Sequence, residues 1–147
     1  MQPTTADERW RTVLSGIGEL PYGLTLSTVA IFAAPRPYVG TVGRDVNFNN
    51  NFSDDFIGGP DDRIIRPEAS WENLYRTVDM RLAKHFPLGG GRRATVSLEA
   101  FNIFNWDNIS SWGGRQTDAA GDPITNFGQP TGVYAPRQAQ VGIRYEF

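Results

Sequence analysis

The sequence predicts an all-β chain: an antiparallel, up-and-down meander of about five long strands. Three observations lead there. The segment 137–147 has apolar or small side chains at Ala139, Val141, Ile143, Tyr145 and Phe147, and polar ones or glycine at Gln138, Gln140, Gly142, Arg144 and Glu146. That is an unbroken period of two, the signature of a strand with one greasy and one wet face. Second, the strand-like segments are joined by connections that run short, long, short, long. Third, Gly (16) and Pro (10) are plentiful and aromatics reach 12%, a composition that suits many strands separated by turns.

The elements follow in order. Residues 10–20 read as a strand of imperfect alternation. Pro21-Tyr22-Gly23 makes a tight connection, because Pro presets one φ and Gly permits a positive one. Residues 24–34 are rich in β-branched side chains and complete a hairpin, with Leu24, Leu26, Thr28, Ala30 and Phe32 on one face. Residues 35–72 form a long irregular loop holding the run Asn49-Asn50-Asn51 and the acidic pairs Asp54-Asp55 and Asp61-Asp62. Residues 73–86 return to alternation, Val78, Met80 and Leu82 opposing Asp79, Arg81 and Ala83. A second short turn spans 87–92. In the strand 93–105, Val96, Leu98 and Ala100 oppose Thr95, Ser97 and Glu99. A second long loop covers 106–136, before the terminal strand 137–147.

In an up-and-down sheet every second connection lies on the same rim, so both short turns share one rim and both long loops the other. Membrane barrels carry short periplasmic turns, long extracellular loops and strands greasy on the lipid side alone. The chain is read in those terms, with the outer membrane as its location and lipid as a partner. No run of about 18 apolar residues offers a transmembrane helix. Residues 1–8 lack the basic and apolar regions of an export signal, so either the chain is not a free-standing outer-membrane protein or it is a piece of a longer one whose signal lies upstream. Fourteen Lys and Arg stand against sixteen Asp and Glu, so nothing points to nucleic acid. With no cysteine, disulfides and thiolate metal sites are excluded. An open five-stranded sheet cannot span a bilayer alone, because its edges would leave backbone groups unpaired in lipid.

Several segments carry a resemblance to a known family. They are Leu14-Ser15-Gly16-Ile17-Gly18-Glu19-Leu20-Pro21-Tyr22-Gly23, Arg36-Pro37-Tyr38, Gly43-Arg44-Asp45-Val46-Asn47, Thr77-Val78-Asp79-Met80-Arg81-Leu82-Ala83-Lys84, Leu98-Glu99-Ala100-Phe101-Asn102-Ile103-Phe104-Asn105 and Pro136-Arg137-Gln138. In this order, with a terminal Phe, the chain resembles the C-terminal barrel segment of a TonB-dependent receptor. The likeness is to the Oar-like receptors that carry a carboxypeptidase-regulatory-like domain. Gly18 departs from the pattern, standing where such receptors tend to carry an aromatic. The resemblance implies a 22-stranded transmembrane barrel, of which this chain supplies an open portion. It implies energised uptake of a nutrient and no enzymatic reaction. The implied partners are the remaining strands and plug, the barrel-assembly machinery, and the energy-coupling protein TonB through upstream parts. Val141, Ile143, Tyr145 and Phe147 look like the terminal signal that the assembly machinery reads by strand addition.

Site candidates are few. Asp79, Arg81, Glu99, Arg144 and Glu146 are expected to form a polar wall facing the lumen, in contact with a plug or paired among themselves. Asp45, Asn47 and Asn49 recur at every second position, with Asp54 following, which is the spacing that opens a calcium loop. That pattern is damaged, with Asn50 where such a loop has Gly and Phe56 where it has Glu. No other cofactor is expected. His85 is the only histidine and has neither a zinc-ligand set nor a catalytic constellation around it. Gly89-Gly90-Gly91 lacks the Lys of a phosphate loop. Trp71, Tyr75, Phe101, Phe104, Trp106 and Trp112 are expected in an interfacial girdle at the loop ends. Two other readings compete: a passive porin-like barrel, and a soluble β-sandwich binding module. The second requires Val141, Ile143 and Tyr145 to be buried against another sheet.

Overall fold

The computed structural model describes residues 4–59 and 62–147. Met1–Pro3 of the segment read against an export signal, and Asp61 of the second acidic pair, lie outside the described residues. The described residues form strands β1 (Arg11–Leu20), β2 (Leu24–Ala33), β3 (Tyr38–Val39), β4 (Ile64–Ile65), β5 (Tyr75–Gly89), β6 (Arg92–Phe101), β7 (Ile109–Trp112), β8 (Pro130–Val133) and β9 (Gln138–Glu146), with no α-helix among them. The five long strands make one antiparallel meander in the order β1-β2-β5-β6-β9. The sheet does not close: β1 and β9 are its edges. Contacts divide the chain into a unit built on this sheet and a second unit made largely of the two long connections.

The short turns show why their residues are there. A single 3-10 turn, Pro21–Gly23, joins β1 to β2. Tyr22 and Gly23 both take left-handed φ there, 66° and 69°. Lys84 donates to the Tyr22 carbonyl and lies over the Phe86 ring. Between β5 and β6, Gly89, Gly90 and Gly91 have φ of 78°, 61° and 80°. Three consecutive left-handed residues demand glycine. This turn is tighter than the expected 87–92: β5 runs on through Pro87 and Leu88 to Gly89. A register shift between Pro87 and Gly89 accommodates the proline, which has no N–H for the ladder.

Strand β6 stops at Phe101, short of the expected Asn105. Asn102 and Asn105 have φ of 50° and 53°, a conformation Asn tolerates better than most residues. The Asn102 side chain donates to the Trp106 carbonyl at 2.9 Å and accepts from the Trp106 N–H at 3.0 Å. Asn105 then accepts from the Arg137 N–H at 2.9 Å, at the approach to β9.

Buried apolar surface is scarce. Among the described residues, the buried apolar side chains are Ala33, Ala34 and Ala83, and no large side chain is fully buried. What the sheet covers is mostly polar: Thr25, Arg76, Thr77, Thr95, Ser97 and Asn102.

The second unit corrects the expectation of irregular loops. β3 pairs with β4, matching Tyr38 to Ile65 and Val39 to Ile64. β7 pairs with β8 from Ile109 opposite Val133 to Trp112 opposite Pro130. Single bridges join Thr41 to Phe56 and Arg115, and Gly113 to Phe127. The Thr41 N–H reaches the Gly114 carbonyl at 2.8 Å, and the Thr117 N–H reaches Val42 at 2.9 Å. Gly113 and Gly114 allow this approach, since an added Cβ would strike the carbonyl oxygens of Asn126 and Val39 respectively. Arg36 binds Glu8 at 2.9 Å and Arg66 binds Asp7 at 2.6 Å. Strands of two to four residues are too short to show a period in sequence, which is why they were not expected.

Candidate functional site

The candidate site is the two-faced wall formed by β5, β6 and β9. Register fixes which side chains meet. On one face the rows are Met80, Ala100 and Ala139; Leu82, Leu98 and Val141; Lys84, Val96 and Ile143; Phe86, Ala94 and Tyr145. On the other they are Arg81, Glu99 and Gln140; Ala83, Ser97 and Gly142; His85, Thr95 and Arg144.

The burial of these faces is inverted relative to a water-soluble sheet. Leu98 is 52% exposed, Val141 70% and Ile143 79%, whereas Ala83 is 4%, Ser97 6% and Thr95 7% exposed. The covered face is the polar one, because its middle row holds small side chains and long polar neighbours flank them above and below within reach. The bare face holds the branched aliphatics. Fully burying a side chain of that kind contributes roughly 1.5–3 kcal/mol, so Leu82, Leu98, Val96, Val141 and Ile143, which are between 37% and 79% exposed, together forgo about 4–8 kcal/mol in water. That is comparable with the whole stability of an ordinary domain. At the short-turn end of this face stand Lys84, Phe86, Tyr145 and Phe147. Lys84 carries its ammonium to the rim, and Tyr145 stacks on Phe147 at 6.0 Å.

The polar wall takes shape as pairs. The Arg81 guanidinium lies 3.0 Å from Glu99, and Gln140 donates to the other Glu99 oxygen at 2.6 Å. Arg144 lies 2.9 Å from Glu146, with Arg93 3.9 Å away on the other side. These pairs are wet, so each contributes about 0–1 kcal/mol. Asp79 has a different part. It accepts from the Thr77 hydroxyl at 2.7 Å and from the Asn102 N–H at 2.9 Å, and so clamps the end of β6.

One polar chain was not foreseen. Thr25 donates to Glu19 at 3.0 Å and lies 3.4 Å from His85 Nε2, while His85 Nδ1 lies 3.0 Å from the Thr95 hydroxyl. Four strands are thereby linked on the polar face. Thr95 and Ser97 share the parity of Glu99, which was a usable signal; the reach of His85 to Thr25 depends on β2 lying beside β5, which no local pattern carries.

The aromatics expected at the loop ends of the strands make separate contacts. Trp106 stacks on Phe104 at 4.7 Å, meets Phe32 at 6.3 Å and lies beneath the Arg76 guanidinium at 5.2 Å. Tyr75 lies under Arg11 at 5.8 Å. Phe101 lies at the end of β6. Trp71 and Trp112 instead belong to the loop unit, where Trp112 stacks on Tyr38 at 6.0 Å. Burial raises the Tyr38 phenol above its ordinary pKa.

The calcium-like run is a staircase of side chain to backbone bonds. Asp45 accepts from the N–H groups of Asn49 (3.2 Å) and Asn50 (2.7 Å). Asn47 accepts from Asn49 at 3.0 Å, and Asn49 from Asn51 at 2.8 Å. Asp54 accepts from the Asn49 amide at 2.7 Å. These oxygens serve the turn itself, which is what Asn and Asp do in such loops. Among the described residues no cluster of three His, Cys, Asp or Glu side chains is arranged to hold a metal ion.

Compared with protein-family models, with curated proteins and with solved structures, the chain gives no match.

Proposed function

We propose that this chain is a wall segment of an outer-membrane, TonB-dependent receptor barrel. Its five-stranded sheet is an open portion of a 22-stranded barrel that takes up a nutrient using energy relayed by TonB. The Leu98, Val141 and Ile143 face meets lipid; the Arg81, Glu99 and Gln140 face meets the lumen and the plug. The long connections form the outer surface, and β9 with Phe147 serves as the strand read by the assembly machinery. The chain contributes no catalysis.

The observation that carries this reading is the inverted burial of the wall, with bare aliphatics opposite covered hydroxyls. Lipid is the solvent in which that arrangement costs nothing. A β-sandwich needs a second sheet over Val141, Ile143 and Tyr145, and those residues are exposed. A passive porin shares the wall but lacks a plug. The plug and energy-coupling box are therefore sought in the reading frame upstream of Met1, and an in-frame stop with its own promoter there would remove the receptor assignment.

The wall itself is tested by spin labels. Nitroxides are placed singly at Ile143, Val141, Gln140 or Arg144 of the complete receptor in phospholipid vesicles. Labels at Ile143 and Val141 should relax with oxygen, and those at Gln140 and Arg144, exposed on the polar face, with a water-soluble nickel chelate. Equal chelate access at all four positions would exclude a lipid-facing sheet.

A further inference from the structure

We propose that the loop unit carries a binding site for a neutral sugar ring. The site is a cavity of about 310 Å³ between residues 36–39 and β7, bordered by Tyr134. All of its lining belongs to the loop unit. That volume is at the small end for ligand sites, roughly 300–1,000 Å³, and suits one or two rings better than a peptide segment. The proposal goes beyond the membrane-wall reading, because it concerns other residues and another kind of partner.

The polar side of the cavity is built by an irregularity in a strand pair. β7 meets β8 with Ile109 opposite Val133, Ser111 opposite Gly132 and Trp112 opposite Pro130. The step from Ile109 to Ser111 takes two residues on β7 and one on β8, so Ser110 is the extra residue. In a regular strand Ser110 and Ser111 would point to opposite faces. A bulge breaks that alternation and re-aims a side chain, and both serines line the cavity. Gly132 leaves room for them: a Cβ there would lie 2.5 Å from the Ser111 hydroxyl oxygen and 3.0 Å from that of Ser110. The Ser111 hydroxyl accepts from Thr131 at 3.2 Å and keeps its own proton to give. Two adjacent hydroxyls, each donor and acceptor, match a vicinal diol.

The other side is aromatic. Trp112 stacks on Tyr38 with the rings 17° from parallel, and the Tyr134 ring is 41% exposed. Flat rings take the C–H face of a pyranose, whose hydroxyls point outward at its edge. Charge decides against an anion. Among the described residues Arg36 is the only charged side chain in the lining, and Glu8 holds its Nε at 2.9 Å. A carboxylate or phosphate would therefore meet no unbalanced charge. The guanidinium has five N–H groups. One is held by Glu8 and a second by the Tyr134 hydroxyl at 3.4 Å, which leaves others to serve a neutral oxygen.

The test uses the full-length protein in detergent and reads saturation transfer by NMR. The probes are maltohexaose, cellohexaose and laminarihexaose, with citrate and triglycine for comparison. At least one hexasaccharide should receive saturation, strongest at its ring C–H protons, and citrate and triglycine should receive none. Ser110→Ala combined with Ser111→Ala should weaken that binding about tenfold, through two lost hydrogen bonds. Both serines are exposed, so their replacement leaves the fold standing. Phe52→Ala, which removes an exposed aromatic outside the cavity, should leave binding unchanged. No transfer to any of the three hexasaccharides, equal transfer to citrate or triglycine, or binding that the serine variant does not alter would overturn the proposal. Each of those outcomes leaves the lipid-facing wall untouched.

Discussion

A Cβ added to Gly142 would lie 2.8 Å from the Ser97 hydroxyl, directly across the β6–β9 pair. The contact sits in the small-residue row of the polar face, with Ala83 on the far side of Ser97. Gly142→Ala should cost little, because the Ser97 hydroxyl can rotate away. Gly142→Val should lower stability by about 1–3 kcal/mol through overpacking. Urea unfolding in detergent reads both, and Ser97→Ala should recover part of the Gly142→Val loss in a double-mutant cycle. Strict additivity would mean that the two residues do not touch.

Asn102 supplies two things, a left-handed backbone and a two-point grip on Trp106. Asn102→Gly keeps the first and loses the second; Asn102→Ala loses both. The expected losses are about 1–3 kcal/mol for the glycine variant and about 1 kcal/mol more for alanine. Thermal unfolding ranks them, and an alanine variant as stable as the glycine one would contradict the backbone argument.

In the loop unit, Gly113 and Gly114 abut backbone oxygens, which cannot swing aside as a side-chain tip can. Alanine at either position should loosen the strand pairs around Thr41 and Trp112. Faster proteolysis and amide exchange within residues 35–72 and 106–134, without change in β5 or β6, is the expected pattern. Unaltered exchange in both segments would refute it.

Tyr38 gives a pH dependence of known sign. Its phenol is raised by burial, so the folded state holds the proton more tightly than the unfolded chain does. That contribution is fully present below the unfolded value of about 10 and is lost as pH rises through the folded value. Tyr38→Phe should flatten the alkaline fall in the stability of the loop unit, measured by intrinsic fluorescence. A curve identical to that of the parent would leave Tyr38 without influence.

Phe147 is 99% exposed beside Tyr145. Under the barrel reading, replacing it with a polar residue in the complete receptor should reduce the folded, heat-modifiable form in the outer membrane and leave precursor levels unchanged. Normal assembly would dismiss β9 as the signal strand.

The sequence by itself determined the five long strands, to within a few residues at their ends, and their sides. Val96 and Leu98 against Thr95 and Ser97, or Val141 and Ile143 against Gln140 and Arg144, are legible because a strand's period of two is a local property. The Gly89–Gly91 turn was legible as a reversal for the same reason, since only glycine accepts three consecutive left-handed residues. Tertiary structure decided which of those sides are covered and which partners meet. Arg81 finds Glu99 only once the turn has set the register. Asp79 finds the Asn102 N–H 23 residues along the chain, and His85 finds Thr25 through the neighbouring strand. The Tyr38–Trp112 stack and the short sheets of the loops were likewise hidden, because pairs of two to four residues have no period and gain their stability only from segments distant in the chain.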